Sequence, residues 1–373
     1  MLQKSAGNRR PKTDSAHLVL CSAALLGLLH TTTASADISP PALPEAVSNQ
    51  LVLQSTVRGK WFLASFAGQS GQTGGDHNKV WQLTEGSPIW QAVPALPNQA
   101  RQSGRLAASG VAMSNHLFIF AGADRTADGS DKILTDSYRF SPLTQTYTKL
   151  PDMPVAVADS LALPYQERYI YLVSGRQQYG QVNLVQLFDN FSQKWSQATP
   201  YPGMAVAGHA GALVGHQLLI CDGISQDYQQ QATGQLRTTP GCYLGDINSK
   251  NASQIRWQKI PHHGGPARYR QAAIAVTVNG ENMIAFVGGS APGTSPTANS
   301  AALTTAFNGK ASDQVYLYAL QQQRWLKASS SVAVTDLRSL VSINGEIFSV
   351  GGMDGSNNVS SALIKHQIKL LPE

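Results

Sequence analysis

Met283-Ile-Ala-Phe-Val-Gly-Gly289 and Glu346-Ile-Phe-Ser-Val-Gly-Gly352 share one design: an apolar run of strand length that stops at paired glycines. Four more runs stop at a glycine in the same way. They are Lys60-Trp-Phe-Leu-Ala-Ser-Phe-Ala-Gly68, His116-Leu-Phe-Ile-Phe-Ala-Gly122, Arg168-Tyr-Ile-Tyr-Leu-Val-Ser-Gly175 and Gln217-Leu-Leu-Ile-Cys-Asp-Gly223. The terminal glycines lie 54, 53, 48, 66 and 63 residues apart. Self-similarity at such a period marks a propeller or a solenoid.

Reading outward, each run keeps the same neighbours. A polar loop follows it, then a short strand such as Lys79-Val-Trp-Gln-Leu83 or Gln314-Val-Tyr-Leu-Tyr318, then an aromatic opening a further strand (Trp90, Tyr147, Trp195, Trp257, Trp325). A strand of small residues precedes it, as in Ala108-Ser-Gly-Val-Ala-Met113 and Ala272-Ala-Ile-Ala-Val-Thr-Val278. Four strands with short turns make an antiparallel sheet. Small side chains suit the crowded axis of a radial array, and aromatics fill its wider rim. The order resembles the kelch repeat from roughly residue 45 to 373, although only the fifth and sixth copies keep both glycines. The resemblance and the six copies predict an all-β, six-bladed kelch-type β-propeller, with four-stranded antiparallel blades around a central channel. The blades are expected near 46–99, 100–154, 155–202, 203–263, 264–329 and 330–373. The sixth copy ends without a Trp strand, while Pro41-Ala-Leu-Pro44 repeats Pro94-Ala-Leu-Pro97. Residues 37–45 are therefore expected to close the last blade, with Leu370-Leu-Pro-Glu373 as the alternative.

Composition fits a folded chain. Of 373 residues, 42% are hydrophobic and 13% charged, too apolar for a disordered chain and too poor in charge for a coiled coil. Residues 1–36 read as a signal peptide: Lys4, Arg9, Arg10 and Lys12, then an apolar stretch to Leu29, then Ala34-Ser-Ala36 as the cleavage site. The expected location is periplasmic or secreted, with no membrane insertion of the mature chain. Loss of those four basic residues and Asp14 lowers the formal net charge from +6 to +3. This removes the dense basic face that nucleic-acid binding needs. Two cysteines remain, Cys221 and Cys242, at the end of one strand and the start of the next. An oxidising compartment favours a bridge between them; two separate buried thiols are the other reading.

Strand order places the second-to-third-strand loops and the blade-to-blade links on one face. The loops at 69–78, 124–135, 176–181, 224–240 and 290–313 are long and polar, the usual carriers of binding residues. The links and loops bring Arg105, Arg176, His209, Arg268, Arg270 and Arg338 to that face, with Asp159, His262, His263, Tyr269 and Asp336. Arginine's planar fork matches a carboxylate, so an arginine-lined mouth suggests a small anionic ligand.

A closer resemblance is to the periplasmic sialic acid mutarotases, or N-acetylneuraminate epimerases. It is carried by Ala205-Val-Ala-Gly-His-Ala-Gly211, Leu219-Ile-Cys-Asp-Gly223 and Gly234-Gln-Leu-Arg-Thr238. It implies binding, and mutarotation, of an anionic sugar without a cofactor. Arg237 matches the family's arginine and would hold the sugar carboxylate. The family's glutamate is not matched, the loop being several residues longer, so Asp222 or Asp227 would substitute for it as the base, with His209 as the acid. No metal site is expected: no His-x-x-x-His spacing occurs, and the tyrosine, histidine and Tyr–Cys set of kelch-type copper oxidases cannot be assembled. The competing reading is a non-catalytic propeller whose loop face binds a protein or a polysaccharide.

Overall fold

A computed structural model describes residues 40–98, 104–227, 235–291 and 310–372. From Pro40 onward they form one compact unit. Among them every regular element is a strand, and all strand pairs are antiparallel. Of the nine sheets among the described residues, six contain the glycine-ended runs and follow one another along the chain. Their first strands are Leu51–Val57, Ser109–Met113, Leu161–Tyr165, Ala210–Val214, Tyr269–Val278 and Val341–Ile343. In the fourth sheet, for example, Ala210–Val214 pairs with Gln217–Cys221, which pairs with Cys242–Ile247, which pairs with Ile255–Ile260. The sixth sheet has three strands, Val341–Ile343, Glu346–Val350 and Leu363–Lys365.

The glycine-ended runs are apolar throughout because both of their faces are covered, so the usual polar alternation of a half-buried strand is absent. Alternation instead decides which neighbour a side chain meets. In Gln217–Cys221, Leu218 and Ile220 pack against Tyr171, Val173 and Leu187 of the third sheet. Leu219 and Cys221 pack against Ile284 and Phe286 of the fifth. The other neighbouring pairs share clusters in the same way, and a further one joins Val52, Leu63 and Leu83 of the first sheet to Val341, Phe348 and Val350 of the sixth. The sheets thus close on themselves around an axis.

The paired glycines have a conformational reason. Gly288 and Gly289 both have positive φ, 71° and 83°. The first position of the pair has the same geometry in the other copies, where Ala67, Ala121, Ser174 and Asp222 adopt φ of 55°, 47°, 55° and 65°. Each of these residues accepts a left-handed backbone costing about 1–2 kcal/mol, which conceals the repeat from a search for Gly-Gly. The second position stays glycine. At Gly223, φ is 99° and an added Cβ would lie 2.9 Å from the His209 Cβ.

The outer-strand aromatics mark the seam between neighbours. Trp195 Nε1 donates to Pro151 O, Trp257 to Thr199 O and Trp325 to Pro261 O, each on the link that follows the preceding sheet. Tyr147 Oη donates to Pro94 O likewise, and Trp90 Nε1 donates to Pro41 O at 2.8 Å. Pro41 therefore holds, between the sixth and first sheets, the place of those link residues. Leu43 N and Val47 N donate to Ser361 O and Ser360 O. Residues 37–39 lie outside the described residues. Lys369–Leu370 pairs with Arg324–Val334 of the fifth sheet, so this C-terminal segment does not fill the outer place of the sixth.

Cys221 and Cys242 face each other in register and are disulfide-bonded, with Cα atoms 4.2 Å apart.

Candidate functional site

Each link pairs with the loop of its own sheet: Ser48 with Gln69, Leu106 with Ala123, Ala158 with Arg176, Ala207 with Ile224, Tyr269 with Ser290 and Thr335 with Met353. Links and second-to-third-strand loops therefore share one face. The next residue of each link is Asn49, Ala107, Asp159, Gly208, Arg270 or Asp336, with φ between 53° and 59°. These six residues make a belt. Ala107 N donates to Asn49 O, Asp159 N to Ala107 O, Gly208 N to Asp159 O, Arg270 N to Gly208 O and Leu337 N to Arg270 O. Asn49 N completes the circuit by donating to Asp336 Oδ2 at 2.8 Å. Backbone groups make nearly all of these bonds, so the side chains on the belt can vary in type.

Three of those side chains carry charge over the channel mouth. Arg338 Nη1 lies 2.5 Å from Asp159 Oδ1, and Arg338 Nη2 donates to Asn49 Oδ1 at 2.7 Å. Arg270 Nη1 donates to Asp336 Oδ1 at 2.8 Å, with Nη2 3.8 Å from Asp159 Oδ2. Tyr269 Oη donates to Asp159 Oδ2 at 3.3 Å. Arg338 thus spans the axis from the sixth sheet to the third. Burial alone would raise the Asp159 pKa, but Arg338, Arg270 and Arg176 outweigh it and hold the carboxyl below the usual range. Two arginines and two aspartates cancel, and all four are buried or nearly so.

The remaining arginines are also paired. Arg105, fully buried, makes a two-armed contact to Asp136 at 2.9 and 2.6 Å and donates to Ala121 O and Pro97 O. Arg268 occupies the same place in the fifth sheet, where Gln314 stands for the aspartate. It donates to Gly288 O, Gln314 O and Gln314 Oε1, and lies over the Tyr316 ring. Arg176 Nη2 donates to Asp131 Oδ2 at 2.8 Å.

Asp222 is a hub between the fourth sheet and the following link, and its side chain has no exposed surface. Its Oδ1 is 2.7 Å from His262 Nε2, and its Oδ2 is 3.2 Å from His263 Nε2. Arg268 N and Gln271 Nε2 also donate to Oδ2 at 3.1 and 2.9 Å. Burial would raise its pKa, but the histidine hydrogen bonds outweigh this and keep it low. Burial holds His263 below the ordinary histidine range despite Asp222. Gly265 N donates to His263 Nδ1, so Nε2 of the neutral ring carries the proton given to Asp222. The ring stacks on Tyr316 at 3.9 Å. Asp222, His262 and His263 bring three ligand atoms within 4.8 Å of one another. A metal on His263 Nε2 would require the proton on Nδ1, against the Gly265 N–H, so the hydrogen bonding present opposes an ion there.

His209 lines the axial cavity, which has a volume of about 350 Å³. Its residue exposure is 6%, and both ring nitrogens are buried. Burial pushes its pKa down to about 4, against smaller opposing effects of the Val173 carbonyl and Asp159. Arg237 is exposed on the hairpin formed by Ile224–Asp227 and Gln235–Thr238, across from Ser225. Asp227 closes the first of these strands; its side chain lies outside the described residues. The structure thus brings Arg270 and Arg338 together, gathers Asp222 with Arg268's backbone, and leaves Arg105 and Arg176 each with its own aspartate. Sequence reasoning missed Asp136, Asp131, Gln271, Gln314 and Asn49. The equivalence of Asp136 and Gln314, each just after the loop of its repeat, is the signal that aligned repeats would have supplied.

No family model matches the chain. Kelch domain-containing protein 3 of Bos taurus is 26% identical over 268 residues, covering 66% of this chain and 64% of that protein. Kelch-like protein 15 of Gallus gallus is 28% identical over 113 residues, 30% of this chain and 23% of its own length. Kelch-like protein terF of Aspergillus terreus is 26% identical over 202 residues, 51% and 40% respectively. The chain spans less than two thirds of the length of these relatives. A solved structure titled "Structure of YjhT" superposes with a TM-score of 0.66 at 16% identity, covering 89% of this chain and 99% of that one, a likeness of fold alone. Repeat order, antiparallel sheets closed around an axis and these likenesses together make the chain a kelch-type β-propeller.

Proposed function

We propose that this chain is a non-catalytic binding module, exported to the periplasm or beyond, whose loop face takes a ligand bearing a carboxylate, with a sialic acid as the small-molecule case. The observation that carries the reading is the state of Asp222. A mutarotase base must reach the anomeric hydroxyl, and this carboxylate is sealed behind four hydrogen-bond donors. Arg237 supplies an exposed guanidinium on the projecting hairpin. That hairpin leans on its neighbour, where Gln226 N donates to Gln181 Oε1 at 3.1 Å. Mutarotation is the second reading, favoured by the place of His209 on the wall of the axial cavity. A protein partner is the third. It is favoured by Tyr179 and Met204, which are 92% and 59% exposed and lie on the neighbouring hairpin and link of the same face.

The test adds the pure α-anomer of N-acetylneuraminate to the mature protein and follows both ligand binding and anomer exchange by NMR. Saturable binding that weakens in Arg237→Ala, with exchange no faster than in buffer, supports the module. Acceleration of exchange overturns the non-catalytic reading. Absence of binding leaves the protein-partner reading in its place.

A further inference from the structure

The fifth sheet has an open outer edge. Lys369–Leu370 adds a further strand to Arg324–Val334, with Ser329 opposite Lys369 and Ala328 opposite Leu370, and it is the outermost strand of that sheet among the described residues. Leu371 N donates inward to Lys327 O at 2.9 Å. Successive residues of an antiparallel strand turn their backbone groups to opposite sides, so the N–H and C=O of Leu370 point outward. Leu370 and Leu371 are 48% and 43% exposed. Such an edge is a template for one more strand. Pro372, the next outward residue, has no N–H to give and bounds the edge.

The two faces of this edge differ in chemistry. Leu370 shares a face with Ile368, which packs with Val278, Met283 and Leu326. Val278, Met283, Leu326 and Leu370 line an open groove of about 750 Å³. On the other face Lys369 lies with Lys327, its diagonal cross-strand neighbour. Both lysines are exposed, and neither has a carboxylate partner among the described residues. Glu281, on the groove wall, accepts from Gln322 instead.

We propose that this edge docks an extended segment of a partner protein in which acidic and branched apolar residues alternate. One residue of an antiparallel partner strand exchanges two hydrogen bonds with Leu370. The period of two then sends the partner's carboxylates to the lysine face and its apolar side chains to the groove. A basic segment meets two uncompensated lysines, and a helix leaves the outward groups of Leu370 unpaired. This surface lies on the outer rim of the fifth sheet, apart from the loop-face reading above, and does not depend on it.

The probe is the peptide Glu-Ile-Asp-Val-Glu-Ile-Asp-amide with fluorescein at its N-terminus, titrated with the protein and followed by anisotropy. A peptide with lysine in place of each acid is the control. The expected result is saturable binding of the acidic peptide alone. Lys327→Glu combined with Lys369→Glu weakens it by about tenfold or more. Leu370→Pro weakens it likewise, because it removes the outward N–H and leaves the inner ladder intact. No saturable binding at millimolar protein, equal binding of the lysine peptide, or binding unchanged in either variant overturns the proposal. Should Leu370→Pro fail to fold, hydrogen exchange at the Leu370 amide decides: slowing by the acidic peptide upholds the proposal, and an unchanged rate ends it. A parallel titration with N-acetylneuraminate keeps the fate of the loop-face reading distinct.

Discussion

Replacing Asp222 by glycine would restore the pair found at Gly288–Gly289, and repeat logic alone would call the change stabilising. Two effects compete. Glycine relieves the left-handed backbone at φ 65°, a gain of about 1 kcal/mol. It also removes the acceptor of four hydrogen bonds at 2.7–3.2 Å. His262 is partly exposed and can turn to water, but His263, Gln271 and the Arg268 amide are buried and would be left unpaired, at about 1–3 kcal/mol each. The loss wins: Asp222→Gly should destabilise the protein by about 3 kcal/mol, and Asp222→Ala by about 1 kcal/mol more because the strain remains. Urea unfolding at neutral pH, followed by tryptophan fluorescence, measures both. A glycine variant as stable as the parent, or more so, would refute the view that Asp222 clamps the fourth sheet to the following link.

Other outcomes follow from the same contacts. Arg338→Ala strands the buried Asp159 carboxylate and should cost about 3–5 kcal/mol in denaturant unfolding, whereas Asp159→Asn combined with Arg338→Met should cost much less; equal losses would contradict the pairing. Burial holds His209 and His366 at pKa about 4, the latter between the hydroxyls of Ser330 and Ser349. Both are neutral when folded, so their contribution is complete above about pH 6.5 and falls as the pH drops towards 4, by up to about 3 kcal/mol each. Urea midpoints between pH 7 and 4.5 should show the decline, shallower in His366→Gln, and a flat profile would argue against burial of the rings. Replacing Cys221 and Cys242 by alanine should lower stability by about 3 kcal/mol for a bridge 21 residues apart in sequence; no loss would mean that the bridge is dispensable. Deleting residues 37–44 removes buried Leu43 and the acceptor of Trp90, and should broaden or abolish cooperative unfolding, while an unchanged transition would show that this segment is not part of the ring.

The fold was legible because burial on both faces writes the second strand of each repeat as an unbroken apolar run, and Ile284 and Phe286 need no alternation with polar residues to be recognised. The site was less so. Arg270 pairs with Asp336, 66 residues away, and Arg338 reaches Asp159 from the opposite sheet, separations at which a sequence gives no sign of pairing. An arginine count at the mouth therefore overstated its positive charge. The belt was invisible for a different reason: Asn49, Ala107, Gly208 and Arg270 share a backbone conformation and a backbone bond, not a side-chain type.

The central claim is that the sheets close into one ring whose mouth is bridged by paired charges, and a crystal structure of residues 37–373 tests it most directly. The account predicts the Asn49 amide at 2.8 Å from the Asp336 carboxylate, with Val52 and Leu63 packed on Phe348 across the junction of the first and sixth sheets. A further sheet or an open gap between them, or Arg338 turned away from Asp159, would contradict it.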